Sequence, residues 1–307
     1  MEVGKGCIAI LGPGAIGGMI ATRLMAKGLD VAMVGPSKTL RKIKEKGIQL
    51  KSETWGDSVF FPKVYQYLGF KPSILLITCK ANQLNQAKDR VKKIHMENVW
   101  LLPLLNGYEH FSSLRDTFPE SKIITGVIGK VEVKITNGVI YHSTLGAEIS
   151  VHSRFPEAKY FLENLFEKTG INCQFAHSEE EVIYKKLTRL SVLAGTTAAT
   201  GLSIGKILQN SFWSEILQKS LIEACAVSAS KGYPQKPAEI MRFFKQLPFD
   251  LSSSLARDVE AGHLGEADHI LGSVIRAAVK ENVKCPTIEY LLSKVLERVD
   301  HCQKELH

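Results

Sequence analysis

Ile8-Ala9-Ile10-Leu11-Gly12-Pro13-Gly14-Ala15-Ile16-Gly17 is the stretch from which the fold is read. Four apolar residues in a row read as a buried strand, and the glycines behind them fit G-x-G-x-x-G. Ile16 to Lys27 then has helical character until Gly28 stops it. The pattern is weak alone, but it gains physical meaning between a strand and a helix. Gly12 permits the tight turn, Gly14 removes a side chain so that backbone can approach a pyrophosphate, and Gly17 lets helix and strand pack closely. The helix N-terminus adds amide donors and a partial positive charge. Gly12, Pro13, Gly14, Ala15, Ile16 and Gly17 are therefore expected to hold a dinucleotide. A glycine-rich turn that binds nothing is the plainer alternative.

Working outward, Val31-Ala32-Met33-Val34 is the next strand, and a basic helix follows from about Thr39 to Lys46. NAD enzymes usually carry Asp or Glu at the tip of this second strand, where it holds the ribose 2′-hydroxyl. Here Gly35-Pro36-Ser37-Lys38 follows the strand, with Arg41 and Lys42 next. With no carboxylate present and cations close behind, a 2′-phosphate is accommodated, so NADP(H) is favoured, with Lys38 and Arg41 as its partners. Cations that merely coat a surface helix are the alternative, and Ser37 would cap that helix in either case.

Ile74 to Thr78, Val99 to Leu105 and Ile123 to Ile128 continue the series of apolar runs, as expected for a parallel sheet wrapped by helices. The pattern then changes. Val131 to Thr136 and Val139 to Thr144 are joined by Asn137-Gly138, a type I′ hairpin signal. Glu148 to His152 alternates like another antiparallel strand, Pro156 to Lys168 is helical, and Ile171 to Phe175 closes the series. This antiparallel tail is expected to extend the parallel sheet. Beyond Ser178 helical periodicity dominates, with helices over 179–200, 212–231, 237–246, 266–282 and 287–300. The fold class is α/β: a Rossmann-like sheet domain with an antiparallel extension over 1–178, then an all-helical domain over 179–307.

Composition excludes several classes. With 307 residues, two domains are the default. No apolar run approaches the roughly 18 residues that span a bilayer, and no cleavage pattern follows Met1 to Lys5, so a cytoplasmic protein is expected. The six cysteines lie far apart without metal-ligand spacing, which points to free thiols and no metal. The formal charge of +8 is spread along the chain without interleaved aromatics, so a solvated basic surface is expected rather than a nucleic-acid groove. Gly201 to Ile207 fails the Walker A pattern, and no G-x-S-x-G elbow exists.

Ligands of open parallel sheets sit beyond the carboxyl ends of the strands. Lys80 and Asn106 stand at such ends, where they could meet cofactor or substrate, although a solvated lysine and an Asn-Gly turn are equally compatible with the sequence. Ile183, Leu187, Leu190 and Ala194 form one apolar stripe, and Lys186 lies on its edge. A lysine leaning on an apolar face is a candidate for a lowered pKa; the alternative is that its stem simply covers the stripe. Ser252-Ser253-Ser254, Asp258 and Glu266 each have ordinary explanations as caps or first-turn acids.

Taken together the chain resembles the ketopantoate reductase (2-dehydropantoate 2-reductase) family over essentially its whole length. The resemblance rests on Leu11 to Gly18, Thr78-Cys79-Lys80-Ala81-Asn82-Gln83, Leu104-Leu105-Asn106-Gly107, Tyr184-Lys185-Lys186-Leu187, and Ser252 to Asp258 with Glu266 at its expected spacing. It implies a Rossmann-like cofactor domain, a helical second domain, and hydride delivery from NADPH to the ketone of a small-molecule 2-oxo acid. Lys186 would match the catalytic lysine and Glu266 the acid that engages the substrate's hydroxyl region. Ser254 would bind the substrate carboxylate, while Lys80 and Asn106 would position cofactor and substrate. The chain departs from the family where Leu190 and Ala194 replace asparagines, Gly195 a common proline, and Pro36 an arginine.

Three expectations follow: a ketopantoate reductase serving pantothenate biosynthesis, a relative acting on a more apolar 2-oxo acid, or a non-catalytic NADP(H)-binding protein. Retention of Lys186, Ser254 and Glu266 together argues against the third. Helical second domains often pair, so a homodimer is a natural assembly, but nothing in the sequence selects a pairing face.

Overall fold

The short apolar runs are buried along their whole length because the sheet they form is covered on both faces. The computed structural model describes residues 6–305; the stretch Met1 to Lys5, read as carrying no leader, lies outside them. The chain opens β1 (Ile8–Leu11), α1 (Ala15–Ala26), β2 (Val31–Val34), α2 (Ser37–Lys46), β3 (Ile48–Ser52), β4 (Ser58–Phe60), β5 (Lys63–Tyr65) and β6 (Ile74–Ile77). It continues α3 (Leu84–Lys88), β7 (Trp100–Pro103), α4 (His110–Thr117), β8 (Lys122–Ile123), β9 (Thr125–Gly129), β10 (Val133–Thr136), β11 (Val139–His142), β12 (Ala147–His152), α5 (Glu157–Phe166) and β13 (Ile171–Phe175).

A six-stranded parallel sheet has the order β5-β2-β1-β6-β7-β8. Its strands send alternate residues to opposite faces. Ile8, Ile10, Met33, Ile74, Leu76 and Leu102 enter one core with Met19, Ile20 and Leu24 of α1. Ala9, Leu11, Val34, Leu75, Ile77 and Leu101 enter the other with Leu84, Leu114 and Phe118.

The antiparallel part differs from the expected extension. Hairpin β10–β11 turns at Asn137 and Gly138, with φ of 51° and 85°, as a type I′ turn requires. It then pairs with β3, in a separate sheet of order β10-β11-β3-β4, while β12 lies between β9 and β13 in a third. The partner strand β3 alternates buried Ile48, Leu50 and Ser52 with more exposed Gln49 and Lys51, a period-2 signal not used in the sequence reading. Trp55 stacks on His142 at 4.2 Å, and Arg23 of α1 lies 4.8 Å over the same indole. These contacts tie the second sheet to α1. Ser37 is not a cap: Pro36 takes the cap position in extended backbone, without a side-chain bond.

The helical part comprises α6 (Glu179–Thr200), α7 (Ile204–Gln209), α8 (Ser211–Ser230), α9 (Pro237–Lys245), α10 (Ser254–Glu260), a π-helical turn (Asp268–Gly272), α11 (Ser273–Lys280) and α12 (Pro286–Glu305). Leu187, Leu217, Leu221, Phe244, Val259, Leu271, Leu291 and Val295 are buried in its core. Prolines open α9 and α12, where a missing N–H costs nothing. The segment expected as one helix over 266–282 is instead the π-helical turn followed by α11.

The chain divides into two compact units. The first holds the residues up to Leu105 with His110–Val182, and the second holds Asn106–Glu109 with the residues from Ile183 on. The division falls inside α6, and Arg115 pairs with Glu179 at 2.6 Å within the first unit. No helix among the described residues is long and apolar enough to cross a membrane.

Candidate active site

In the first unit the glycines of the β1–α1 turn do different work. Gly12 has φ +110°, and a Cβ there would lie 2.4 Å from the Cys79 backbone nitrogen. A Cβ on Gly17 would lie 2.3 Å from the Gly12 carbonyl oxygen and 2.5 Å from Thr78 Oγ1. Thr78 Oγ1 donates to that same carbonyl at 2.8 Å, so the end of β6 braces the turn. Gly14 is different, because a Cβ there would meet nothing within 4 Å. The first intrahelical bond of α1 runs from Gly18 N to Gly14 O, so the amides of Ala15, Ile16 and Gly17 precede it. Gly12 to Ile16 are part-exposed. The turn thus offers open space and helix-terminal donors at Gly14, as an anionic pyrophosphate requires.

At the β2 tip, Gly35 abuts Pro13, and a Cβ there would lie 2.5 Å from the proline Cδ. Lys38 and Arg41 project from the start of α2, exposed and outside any ion pair among the described residues. With no carboxylate in Val34-Gly35-Pro36-Ser37, these residues fit a dinucleotide bearing a 2′-phosphate. Lys80 is exposed at the N-terminal end of a short 3₁₀ turn over 81–83.

In the second unit three residues far apart in sequence meet. Lys186 Nζ donates to Asn106 Oδ1 at 2.8 Å, and Asn106 Nδ2 donates to Glu266 Oε2 at 2.9 Å. A lysine can only donate and a carboxylate can only accept, so the amide of Asn106 has one possible orientation. Glu266 is buried, whereas Asn106 and Lys186 are part-buried. Burial lowers the Lys186 ammonium to about 8, against an opposing pull from the Glu266 charge and a smaller lowering by Arg189. Such a group holds a proton at neutral pH and releases it readily.

The three serines separate. Ser253 caps α10 by accepting from Ala256 N at 3.0 Å, and it also accepts from Thr197 Oγ1 at 2.8 Å. Ser254 is exposed and carries no such duty. Ala194 is buried and Leu190 part-buried on α6, so the stripe beside Lys186 is apolar. Sequence reading missed Glu109, Asp268 and Arg276, which form one ion-pair cluster; their spacing carries no signal that they meet. Among the described residues, no group of three His, Cys, Asp or Glu side chains could hold a metal ion. A cavity of about 450 Å³, lined in part by Lys51, Glu53, Asp57 and His142, lies in the first unit and contains none of these candidate residues.

The first unit carries a parallel sheet with a glycine turn after β1, and the second carries a lysine whose pKa is lowered by burial, features in keeping with a nicotinamide-dependent oxidoreductase. Residues 8–153 match the model of ketopantoate reductase PanE/ApbA, and residues 180–298 match the model of its C-terminal domain. The chain belongs to the ketopantoate reductase family. It is 28% identical to "Uncharacterized oxidoreductase YkpB" of Bacillus subtilis, over 91% of this chain and 94% of that one. It is 23% identical to a 2-dehydropantoate 2-reductase of Pyrococcus horikoshii, over 93% and 94% of the two chains.

Among solved structures, D-mandelate dehydrogenase with NADH and anilino(oxo)acetate superimposes with a TM-score of 0.87 at 19% identity, covering 97% of this chain and 99% of that one. A PanE/ApbA family ketopantoate reductase from Ralstonia eutropha gives 0.85 at 22% identity with the same coverage. These likenesses show the shared fold. Family membership makes the protein an NADP-dependent oxidoreductase that reduces a 2-oxo acid.

Proposed function

We propose that the protein reduces 2-dehydropantoate to pantoate, with Lys186 as the proton donor. The observation that carries this reading is the bonded series Lys186–Asn106–Glu266, in which a partly desolvated ammonium is held in one orientation. Bound at the β1–α1 turn, NADPH would supply the hydride that the ketone carbon accepts. Gly12, Pro13, Gly14, Ala15, Ile16 and Gly17 would hold its pyrophosphate, Lys38 and Arg41 its 2′-phosphate, and Lys80 would contribute to positioning it. Lys186 Nζ gives a proton to the substrate oxygen as negative charge develops there, a contribution of roughly 10²–10⁴-fold. Asn106 fixes the direction of the Lys186 amine, and Glu266 accepts from both the Asn106 amide and the substrate hydroxyl. Ser254, with its hydroxyl exposed, would bind the substrate carboxylate.

A second reading keeps this chemistry and changes the substrate. Leu190 and Ala194 present hydrocarbon on α6 beside Lys186, which suits a 2-oxo acid with a bulkier apolar side chain. The reading also makes the protein a cytoplasmic enzyme, supported by six cysteines that form no disulfide.

Loss of NADPH absorbance, followed with 2-dehydropantoate and with 2-oxo acids of increasing apolar bulk, tests both readings. Fastest turnover of 2-dehydropantoate supports the first, and a preference for a bulky apolar acid supports the second. No turnover of any 2-oxo acid refutes both.

A further inference from the structure

The Asn106–Glu109 segment has no ladder to hold it. Beta-strand β7 ends at Pro103 and α4 begins at His110. Among the described residues, no backbone N–H of Asn106–Glu109 donates to another backbone carbonyl. Yet Asn106 must stand accurately between a lysine and a glutamate. Side chains and one close backbone approach do the holding. Gly107, at φ +80°, lies so close to the π-helical turn that a Cβ would be 2.3 Å from the His269 carbonyl oxygen. Tyr108 packs beside Tyr184, with ring centroids 6.0 Å apart.

Glu109 is gripped by Arg276 of α11, whose Nε and Nη2 donate to Oε1 and Oε2 at 2.8 and 2.7 Å. The same guanidinium reaches Asp268, with Nη1 donating to Oδ1 at 2.7 Å and Nη2 to Oδ2 and the backbone oxygen at 3.2 Å. Gly272 leaves the room for this: a Cβ there would lie 2.4 Å from Asp268 Oδ1 and 3.0 Å from Arg276 Nη1.

We propose that Arg276 is a positioning residue for the reduction: by bridging Glu109 and Asp268 it fixes the Asn106–Glu109 segment against the π-helical turn that follows Glu266, and so sets where the Asn106 amide stands between Lys186 and Glu266. The inference rests on the role given to Lys186 and Asn106 above. The planar fork of arginine is what the site needs, because one lysine amine cannot engage two carboxylates in that geometry. Asp268 is held below the usual carboxylate range by its hydrogen bond to Arg276, so the bridge persists at neutral pH. The Arg276 side chain is 41% exposed, so its ion pairs add little to global stability. The effect belongs to local order and turnover.

The test combines hydrogen–deuterium exchange with kinetics on the 2-oxo acid that the wild-type protein reduces fastest. Arg276→Met is expected to speed exchange at the bonded amide of the π-helical turn against which the segment is held, where Ile270 N donates to Glu266 O at 2.9 Å, and to lower kcat, each about tenfold, since small misplacements of a reacting group are costly. The melting temperature and the Kd for NADPH stay near wild type. Gly272→Ala keeps every charge but crowds the bridge, and it shifts both readouts in the same direction. In an Asn106→Ala background, Arg276→Met changes kcat less than about twofold, because the residue through which it acts is gone.

Unchanged exchange in both variants overturns the clamp. Faster exchange with full turnover, or losses that multiply independently of Asn106, overturns the positioning role. A wild-type protein that reduces no 2-oxo acid sinks the reductase reading and the catalytic half of this inference, while the exchange rates still decide whether Arg276 holds the segment.

Discussion

The glycine turn of the first unit and the polar cluster of the second solve opposite problems. At the turn the proposed cofactor binding uses backbone, and it requires that side chains be absent. Gly12 and Gly17 have no room for a Cβ, whereas Gly14 has room that the protein itself does not fill. In the cluster three side chains from positions 106, 186 and 266 are bonded in series, and the proposed reduction requires that each be oriented by the next. A site of absences is written in consecutive residues. A site of oriented groups is written across the fold.

The sharpest way to break this contrast is to remove the amine. Lys186→Ala should lower kcat by at least about 10²-fold, in line with loss of a general acid. Its Kd for NADPH, from fluorescence titration, should change less than about twofold. Near-wild-type turnover would show that the cluster is structural only.

Next come the glycines. Gly12→Ala meets both a positive φ and a backbone atom at 2.4 Å, and should destabilise the protein by roughly 2–4 kcal/mol in denaturant unfolding. Gly14→Ala should melt like wild type and lose NADPH affinity, because its Cβ intrudes only on the ligand's space. Equal stability losses in the two variants would erase the distinction drawn between them.

A smaller effect is expected at the exposed cations. Lys38→Ala with Arg41→Ala should weaken NADPH binding about tenfold, the scale of a charge-assisted contact. NADH binding should be unchanged, so parallel losses for both cofactors would count against a 2′-phosphate contact.

The smallest effect concerns pH. The amine of Lys186 sits at about 8 in the folded protein, below its ordinary value of 10.5. Below pH 8 the folded state carries an ammonium it holds at a cost, and above about 10.5 both states are neutral. Lys186→Met should therefore be more stable than wild type at pH 7, by roughly 1–2 kcal/mol. That gain should shrink between pH 8 and 10.5 and then vanish. In the same range kcat/KM for reduction should fall as the proton leaves Lys186. Melting curves that keep a constant offset across this window would contradict the desolvation argument.

The contrast also explains what could be read in advance. The apolar runs β1, β2, β6 and β7, the G-x-G-x-x-G turn and the Asn137-Gly138 hairpin are local patterns, and all appear where the residues put them. Beta-strand pairing is not local: the hairpin found β3 rather than the edge of the parallel sheet. Lys186 is marked by its place on the edge of an apolar stripe and Asn106 by its place at a strand end, whereas Glu266 is marked by the family resemblance alone. Only folding reveals that one amide joins them. Arg276 gave no signal at all, since a basic residue on an amphipathic helix is ordinary until two carboxylates from other segments close on it.

The four residues Asn106–Glu109 cluster with the second unit, although chain of the first unit flanks them on both sides. A fragment starting at Ile183 would carry Lys186, Glu266, Asp268 and Arg276 but neither the Asn106 amide nor the Glu109 carboxylate. No single cut in the gene can therefore separate a complete helical module from its neighbour. Exchanging the helical half alone would bring together a loop and a lysine from different chains.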